Sequence, residues 1–269
     1  MIALILRIIK DRWLSVVMLT VISILLTSVY VSMFPELQKQ GDKMQELFKA
    51  YPKDMMKTFG IEVSSLAFSK IENFIAMEQY SFTWPILVII LAIGWAASSI
   101  SGEIEKGTIE FLLSLPISRL KIFLEKYLSG VLALIFFTVL SVYSPILIAK
   151  LLGVSFQTAN YTSMAIIGFL FGLAIFSLSM FFSAIFSDKG KVYSTGAGII
   201  LIMYVVKIIA NLKESWDGLK YLSFFHYFDY NAALLNNKID LLNVFVFLGV
   251  TIAFILLGAI AFIRRDANT

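Results

Sequence analysis

The chain has 269 residues, 59% of them hydrophobic and 15% charged, against about 25% charged in an average soluble domain, so most of its solvent is lipid. It has no cysteine and one histidine, which excludes disulfides, thiolate metal sites and histidine metal clusters. The formal charge of +4 suits an anionic membrane surface and does not point to nucleic acid.

Arg7, Lys10 and Arg12 precede an apolar run over 13–34. At ~1.5 Å per residue this run reaches roughly 33 Å, enough to span a bilayer. It exceeds the roughly 7–15 residues of a secretory apolar region, so it reads as an uncleaved first transmembrane helix. The loop 35–80 follows. Pro35 can open a helix there, and Leu37, Met44, Leu47, Phe48 and Tyr51 recur at helical spacing until Pro52. Short helices over 53–59 and about 64–80 complete an outer helical loop, either lying on the leaflet or acting as a lid.

Further spans are predicted over 84–101, 122–149, 163–187, 192–210 and 241–263, which makes an all-α polytopic membrane protein with six transmembrane helices. Pro145 predicts a kink in the third. Gly168 and Gly172 in the fourth permit close helix packing. Lys207 near the far end of the fifth reads as a snorkelling lysine. The outer segment 211–240 contains YLSFFHYFDY, an aromatic string suited to the membrane interface or to a re-entrant hairpin covered by protein. His226 reads as an interfacial residue rather than a ligand.

Arg7, Arg12, Arg119, Arg264 and Arg265 all fall on one side of a six-span chain, which puts both termini in the cytoplasm by the positive-inside rule. The six lysines of 35–80 pull the other way, although seven acids accompany them.

Between spans two and three the sequence reads EIEKGTIEFLLSLPISR, residues 103–119. At about 100° per residue, Ile104, Thr108, Phe111, Leu112 and Leu115 share one face of a helix over 103–115. Glu103, Lys106, Gly107, Glu110 and Ser114 share the other, and Glu105 falls in the apolar half. Pro116 stops the helix, Ser118 caps the next from Arg119, and Lys121 can pair with Glu125. An interfacial helix that only covers lipid would favour lysine and arginine on its polar face. Three glutamates against one lysine fit a basic protein partner better.

This segment is similar to the pattern E-x-E-x-G-T-[LI]-E-x-L-L-x-x-P-[IV]-[ST]-R of ABC type-2 transporter permeases, matched by Glu103, Glu105, Gly107, Thr108, Glu110, Leu112, Leu113, Pro116, Ser118 and Arg119. YLSFFHYFDY resembles the family's segment before the last span, L-S-P-F-x-Y-F-D, with Phe224 in the place of proline. YPKDMMKTFG after span one is similar to the subgroup resembling sodium, antibiotic and peptide exporters. The resemblance implies a single permease domain over 1–269, two permease chains per transporter (a homodimer or related heterodimer), and two ATP-binding-cassette subunits that hold ATP and Mg. The 103–115 helix would be the coupling helix, with Glu103, Glu105, Gly107, Thr108, Glu110, Leu112, Pro116 and Arg119 as ATPase-coupling positions and a second contact near Asp188, Lys189 and Lys191. No catalytic, cofactor or metal residue is expected in this chain, and no G-x-x-x-x-G-K-[ST] loop is present. The implied function is export of a peptide- or antibiotic-like, lipid-like or ionic substrate across a prokaryotic plasma membrane. A stand-alone channel or ion-coupled carrier is the alternative, with Lys207 the one candidate intramembrane charge. An intramembrane enzyme lacks paired acids or a serine with a base within the spans.

Overall fold

The computed structural model describes residues 2–39, 70–114, 116–212 and 214–265. Among the described residues, six helices are long and apolar enough to cross a membrane. In chain order they are α1 (Ile2–Lys39), α3 (Trp84–Ala97, which continues α2, Ile71–Ile75, through a π-helical stretch Ala76–Thr83), α6 (Arg119–Leu151), α7 (Thr158–Ile185), α8 (Lys189–Leu212) and α11 (Leu241–Arg264). The short helices α4 (Ser101–Glu105) and α5 (Ile109–Leu113) join spans two and three. A 3-10 turn (Glu214–Leu222), α9 (Phe224–Tyr227) and α10 (Tyr230–Asn236) join spans five and six.

Span two differs most from the sequence expectation. It begins at Ile71 rather than 84, so the predicted outer helix of about 64–80 is, in its described part, the first half of a spanning helix. Pro85 explains the local geometry. It lacks an N–H and clashes with the carbonyl four residues back, so a regular ladder cannot run through it. The preceding turn widens, and the Trp84 N–H reaches Gln79, five residues back. The extension also brings acids into the span: Glu72 is buried and accepts a hydrogen bond from the Gln157 backbone N–H at 2.7 Å. Pro35 lies inside α1 rather than opening a new helix. The predicted helices over 37–51 and 53–59 lie almost wholly outside the described residues.

α7 is the central helix and α8 the most peripheral, with 67% and 17% of their apolar windows buried. Gly168 and Gly172 put α7 against α3. A Cβ on Gly168 would sit 2.7 Å from the Trp84 ring, and one on Gly172 2.8 Å from Val88. Trp84, fully buried, donates to Ser141 Oγ of α6 at 2.8 Å. It stacks on Phe228 at 5.9 Å, and Phe228 stacks on Phe171 at 4.7 Å. The aromatic segment before span six thus packs against Trp84 at the middle of span two, Phe171 halfway along α7 and Phe247 in the first half of α11. Ser223 caps α9 and Asp229 caps α10. Phe224 occupies the first position of α9, where proline is favoured in general. There Ser223 supplies the cap and the phenyl ring packs near Phe247. His226 packs edge-on against Tyr221 and Tyr227.

Candidate functional site: the junction between spans two and three

The junction is two helices, not the single helix expected over 103–115. α4 stops at Glu105, and Gly107 adopts φ +69, the left-handed conformation that glycine tolerates. The Gly107 N–H bonds Ile104 O at 2.9 Å and the Thr108 N–H bonds Glu103 O at 2.9 Å. These paired bonds form a Schellman stop, which satisfies carbonyls the helix end would leave open. The break turns α5 relative to α4, so the expected apolar face is not preserved. Ile109 is buried, Leu112 and Leu113 are half-buried, and Phe111 is 77% exposed. Leu115 lies outside the described residues. Pro116 sits in the following turn, and Ser118 caps α6 by accepting the Lys121 N–H at 3.3 Å.

The three glutamates do not share one free face. Glu103 points inward and pairs with Lys126 Nζ of α6 at 3.3 Å. Lys126 is 1% exposed and also donates to Ser99 O at 2.9 Å. The Thr108 hydroxyl donates to the Glu103 carboxylate. Burial raises the Glu103 pKa, but Lys126, the Thr108 hydrogen bond and Arg12 outweigh it and hold the carboxyl below its ordinary value. Arg12 of α1 donates to Trp95 O at 2.8 Å and to Ser98 O, with its guanidinium 5.6 Å from the Trp95 ring centre. The C-terminal carbonyls of span two are thereby met by a cation.

Glu105 reaches α8 instead. It pairs with Lys189 Nζ at 3.3 Å and accepts the Lys189 backbone N–H at 3.1 Å. An acid at a helix N-terminus is favoured by the exposed N–H groups there. Asp188 accepts the neighbouring Gly190 N–H at 2.5 Å. Ser183 Oγ of α7 accepts from the Ile100 and Ser101 N–H groups, both at 3.1 Å. Arg265 donates to Ala184 O at 2.9 Å, Phe186 O at 3.2 Å and Ser187 Oγ at 2.6 Å. Arg119 donates to Ile263 O at 3.2 Å and to Arg265 O. Of the three glutamates only Glu110 forms no ion pair among the described residues; it is exposed beside Phe111.

Five of the singled-out positions are therefore internal fittings: Glu103, Glu105, Gly107, Thr108 and Arg119. Leu112 packs at the base, and Glu110 with Phe111 forms the outward edge. Sequence reasoning missed Lys126 and Ser183, and read Arg12 and Arg265 as markers of orientation only. Lys126 was findable, because a lysine within a span requires a partner. Arg12, Glu72, Glu78 and Lys126, like Lys207, lie on helices long and apolar enough to span.

Two comparisons bear on this junction. Residues 5–267 match the profile of a family described as ABC-2 family transporter protein. The chain is also 29% identical over 215 residues to YdbK of Bacillus subtilis (strain 168), described as an uncharacterized membrane protein. That match covers 73% of this chain and 85% of YdbK. With six spanning helices and a family match over nearly its whole length, the chain belongs to the ABC-2 transporter family, as a multi-pass membrane permease.

Proposed function

We propose that this chain is the permease subunit of an ATP-driven exporter, and that α4–α5 transmits movement from a separate ATP-binding-cassette subunit to the spans. The observation that carries this reading is the pairing of an exposed edge, Glu110 and Phe111, with a base tied to α6, α7 and α8. An exposed aromatic next to a carboxylate is suited to a partner groove with an apolar floor and a basic rim. A push on that edge reaches span three through Glu103–Lys126 and span five through Glu105–Lys189. Glu103, Glu105, Gly107, Thr108, Leu112, Pro116 and Arg119 then act by holding the edge, and Glu110 by touching the partner.

The assembly has two permease chains and two ATPase subunits, with ATP and Mg held by the latter. All five arginines gather at the junction end of the bundle, which supports cytoplasmic termini in a prokaryotic plasma membrane. The test is affinity purification of the tagged chain from its host in mild detergent or nanodiscs, with ATPase activity read on the eluate. The expected result is a co-purifying ATPase whose yield falls about tenfold in the Glu110→Lys/Phe111→Ala variant, the scale of losing one or two interface anchors. A single-chain eluate without ATPase activity in every membrane mimetic overturns the reading in favour of a stand-alone channel or carrier.

A further inference from the structure

A carbon-walled chamber of about 400 Å³ lies between span two and α8. Phe82, Pro85 and Ile86 form one side, and Ala197, Leu201 and Tyr204 the other. A recess of about 20 Å³ adjoins it. Ser81, Tyr204 and Phe225 line both spaces, and Lys207, Phe228 and Tyr230 line the recess alone. The shared walls make these one space with a cation at its end. At the opposite end the helices close together, because Gly196 lies against Ile93. The chamber is within the range of small-molecule pockets, about 300–1,000 Å³, whereas the recess has room for about one water.

The polar end offers donors rather than acceptors. The Lys207 ammonium, which has only N–H groups to give, forms no hydrogen bond or ion pair among the described residues, and neither does the Tyr204 hydroxyl. The other charges nearby are engaged. Asp229 is the acid in electrostatic reach of Lys207, but its carboxylate caps α10 by accepting the Ala232 N–H at 2.9 Å and does not line the recess. Lys220 pairs with Asp217 at 2.6 Å. An acceptor arriving through the chamber would satisfy donors that the fold leaves open, and an ionised acceptor gains most where little water competes. The narrow recess suits one oxygen of a flat carboxylate better than a tetrahedral phosphate. Lys207 lies roughly 27 Å along α8 from Lys189, near the far boundary of a ~30 Å hydrocarbon core. From Lys207 back to Ala197 is roughly 15 Å, half that thickness. The flank is open to lipid, as Phe82, Ile86 and Leu201 are exposed.

We propose that this space binds an amphipathic carboxylate, with its head on Lys207 and Tyr204 and its apolar body between span two and α8, entering sideways from the leaflet away from the arginines. The site is built within one chain and does not rest on the permease reading.

The test uses the full chain in nanodiscs with a photoactivatable dodecanoate, and adducts mapped by mass spectrometry. Adducts are expected on residues 81–89 and 197–208, displaced by excess dodecanoate and not by dodecanol or dodecylamine. Labelling there should fall about tenfold in Lys207→Gln, the scale of losing a charge-assisted hydrogen bond, and Lys207→Arg should keep most of it. A second variant, Ala197→Trp, fills the chamber and should abolish labelling while Lys207 stands. Labelling in Lys207→Gln equal to the parent's would overturn the proposal, the result expected if Lys207 only reaches outer water. So would displacement by dodecanol or dodecylamine, or adducts spread equally over the lipid-facing residues of α11. An unlabelled chamber, the result expected if a second copy of the chain covers it, would overturn it too. No ATPase is needed for this readout, so its failure leaves the permease reading standing, and loss of ATPase co-purification leaves this result standing.

Discussion

Lys126 carries its ammonium on a membrane-spanning helix with almost no exposure, and Glu103 is what makes that tolerable. Removal of one member of a buried pair leaves the other charge uncompensated, which typically costs about 3 kcal/mol or more. Glu103→Gln should therefore lower the thermal midpoint of the detergent-solubilised chain sharply, and Glu103→Gln/Lys126→Met should recover most of the loss. Acid should mimic the single variant. The Glu103 carboxyl ionises below its ordinary 4.5 in the folded chain, so its stabilising effect is complete above about pH 4.5. It drains away as pH falls through the lower folded value. A midpoint scan from pH 8 to 3 should fall at the acid end in the parent, with that component missing from Glu103→Gln. Gly107 makes a separate demand. A Cβ there would meet nothing within 4 Å, so the cost of Gly107→Ala is conformational alone, about 1–2 kcal/mol. Gly107→Asn should keep part of the loss back, because asparagine tolerates the left-handed region.

At the scale of elements, the fit of α7 to α3 rests on two missing side chains. Gly168→Leu would drive a side chain into the fully buried Trp84 ring, which is also held by Ser141 and Phe228 and cannot swing aside. Overpacking of this kind costs about 1–3 kcal/mol, and the fluorescence of the solubilised protein should shift as Trp84 is displaced. Gly198 on α8 faces open space, so Gly198→Ala should be neutral or stabilising. The same elements show what the sequence makes legible. Six spans follow from apolar length, because length and composition are one-dimensional properties that lipid enforces directly. The start of span two was hidden because Glu72, Glu78 and Gln79 lower its local hydropathy, and only the tertiary contacts of Glu72 and Gln79 show why those polar groups are tolerated. The break at Gly107 was readable in principle, since glycine followed by a new apolar run is a helix stop. A helical wheel assumes continuity and cannot reveal a break. The inward turn of Glu103 depends on Lys126, 23 residues away, and no local periodicity encodes that pairing.

Across the whole molecule, the junction, the loop between α7 and α8 and the end of α11 are tied as one body. Ser183 holds the start of α4, Lys189 holds its end, and Arg265 spans from α11 to the carbonyls that close α7. This arrangement separates two roles for Glu105 that sequence resemblance merges: a contact with the ATPase, or a strut to α8. The pair is partly exposed, at 39% and 44% for Glu105 and Lys189, so its stability contribution should stay within about 1 kcal/mol. Its effect should instead appear in coupling. Glu105→Lys would set two lysines against each other and reduce substrate-stimulated ATPase activity in the reconstituted complex, by about 5-fold or more if coupling falls by 1 kcal/mol. Lys189→Glu should do the same by opposing two carboxylates. The exchange Glu105→Lys/Lys189→Glu restores the pair, and it suits both helix ends, with a cation at the close of α4 and an acid at the start of α8. If Glu105 is a strut, the exchanged variant should regain most of the lost stimulation. If the exchange performs no better than Glu105→Lys alone, the carboxylate is required in its own place, and Glu105 touches the ATPase directly.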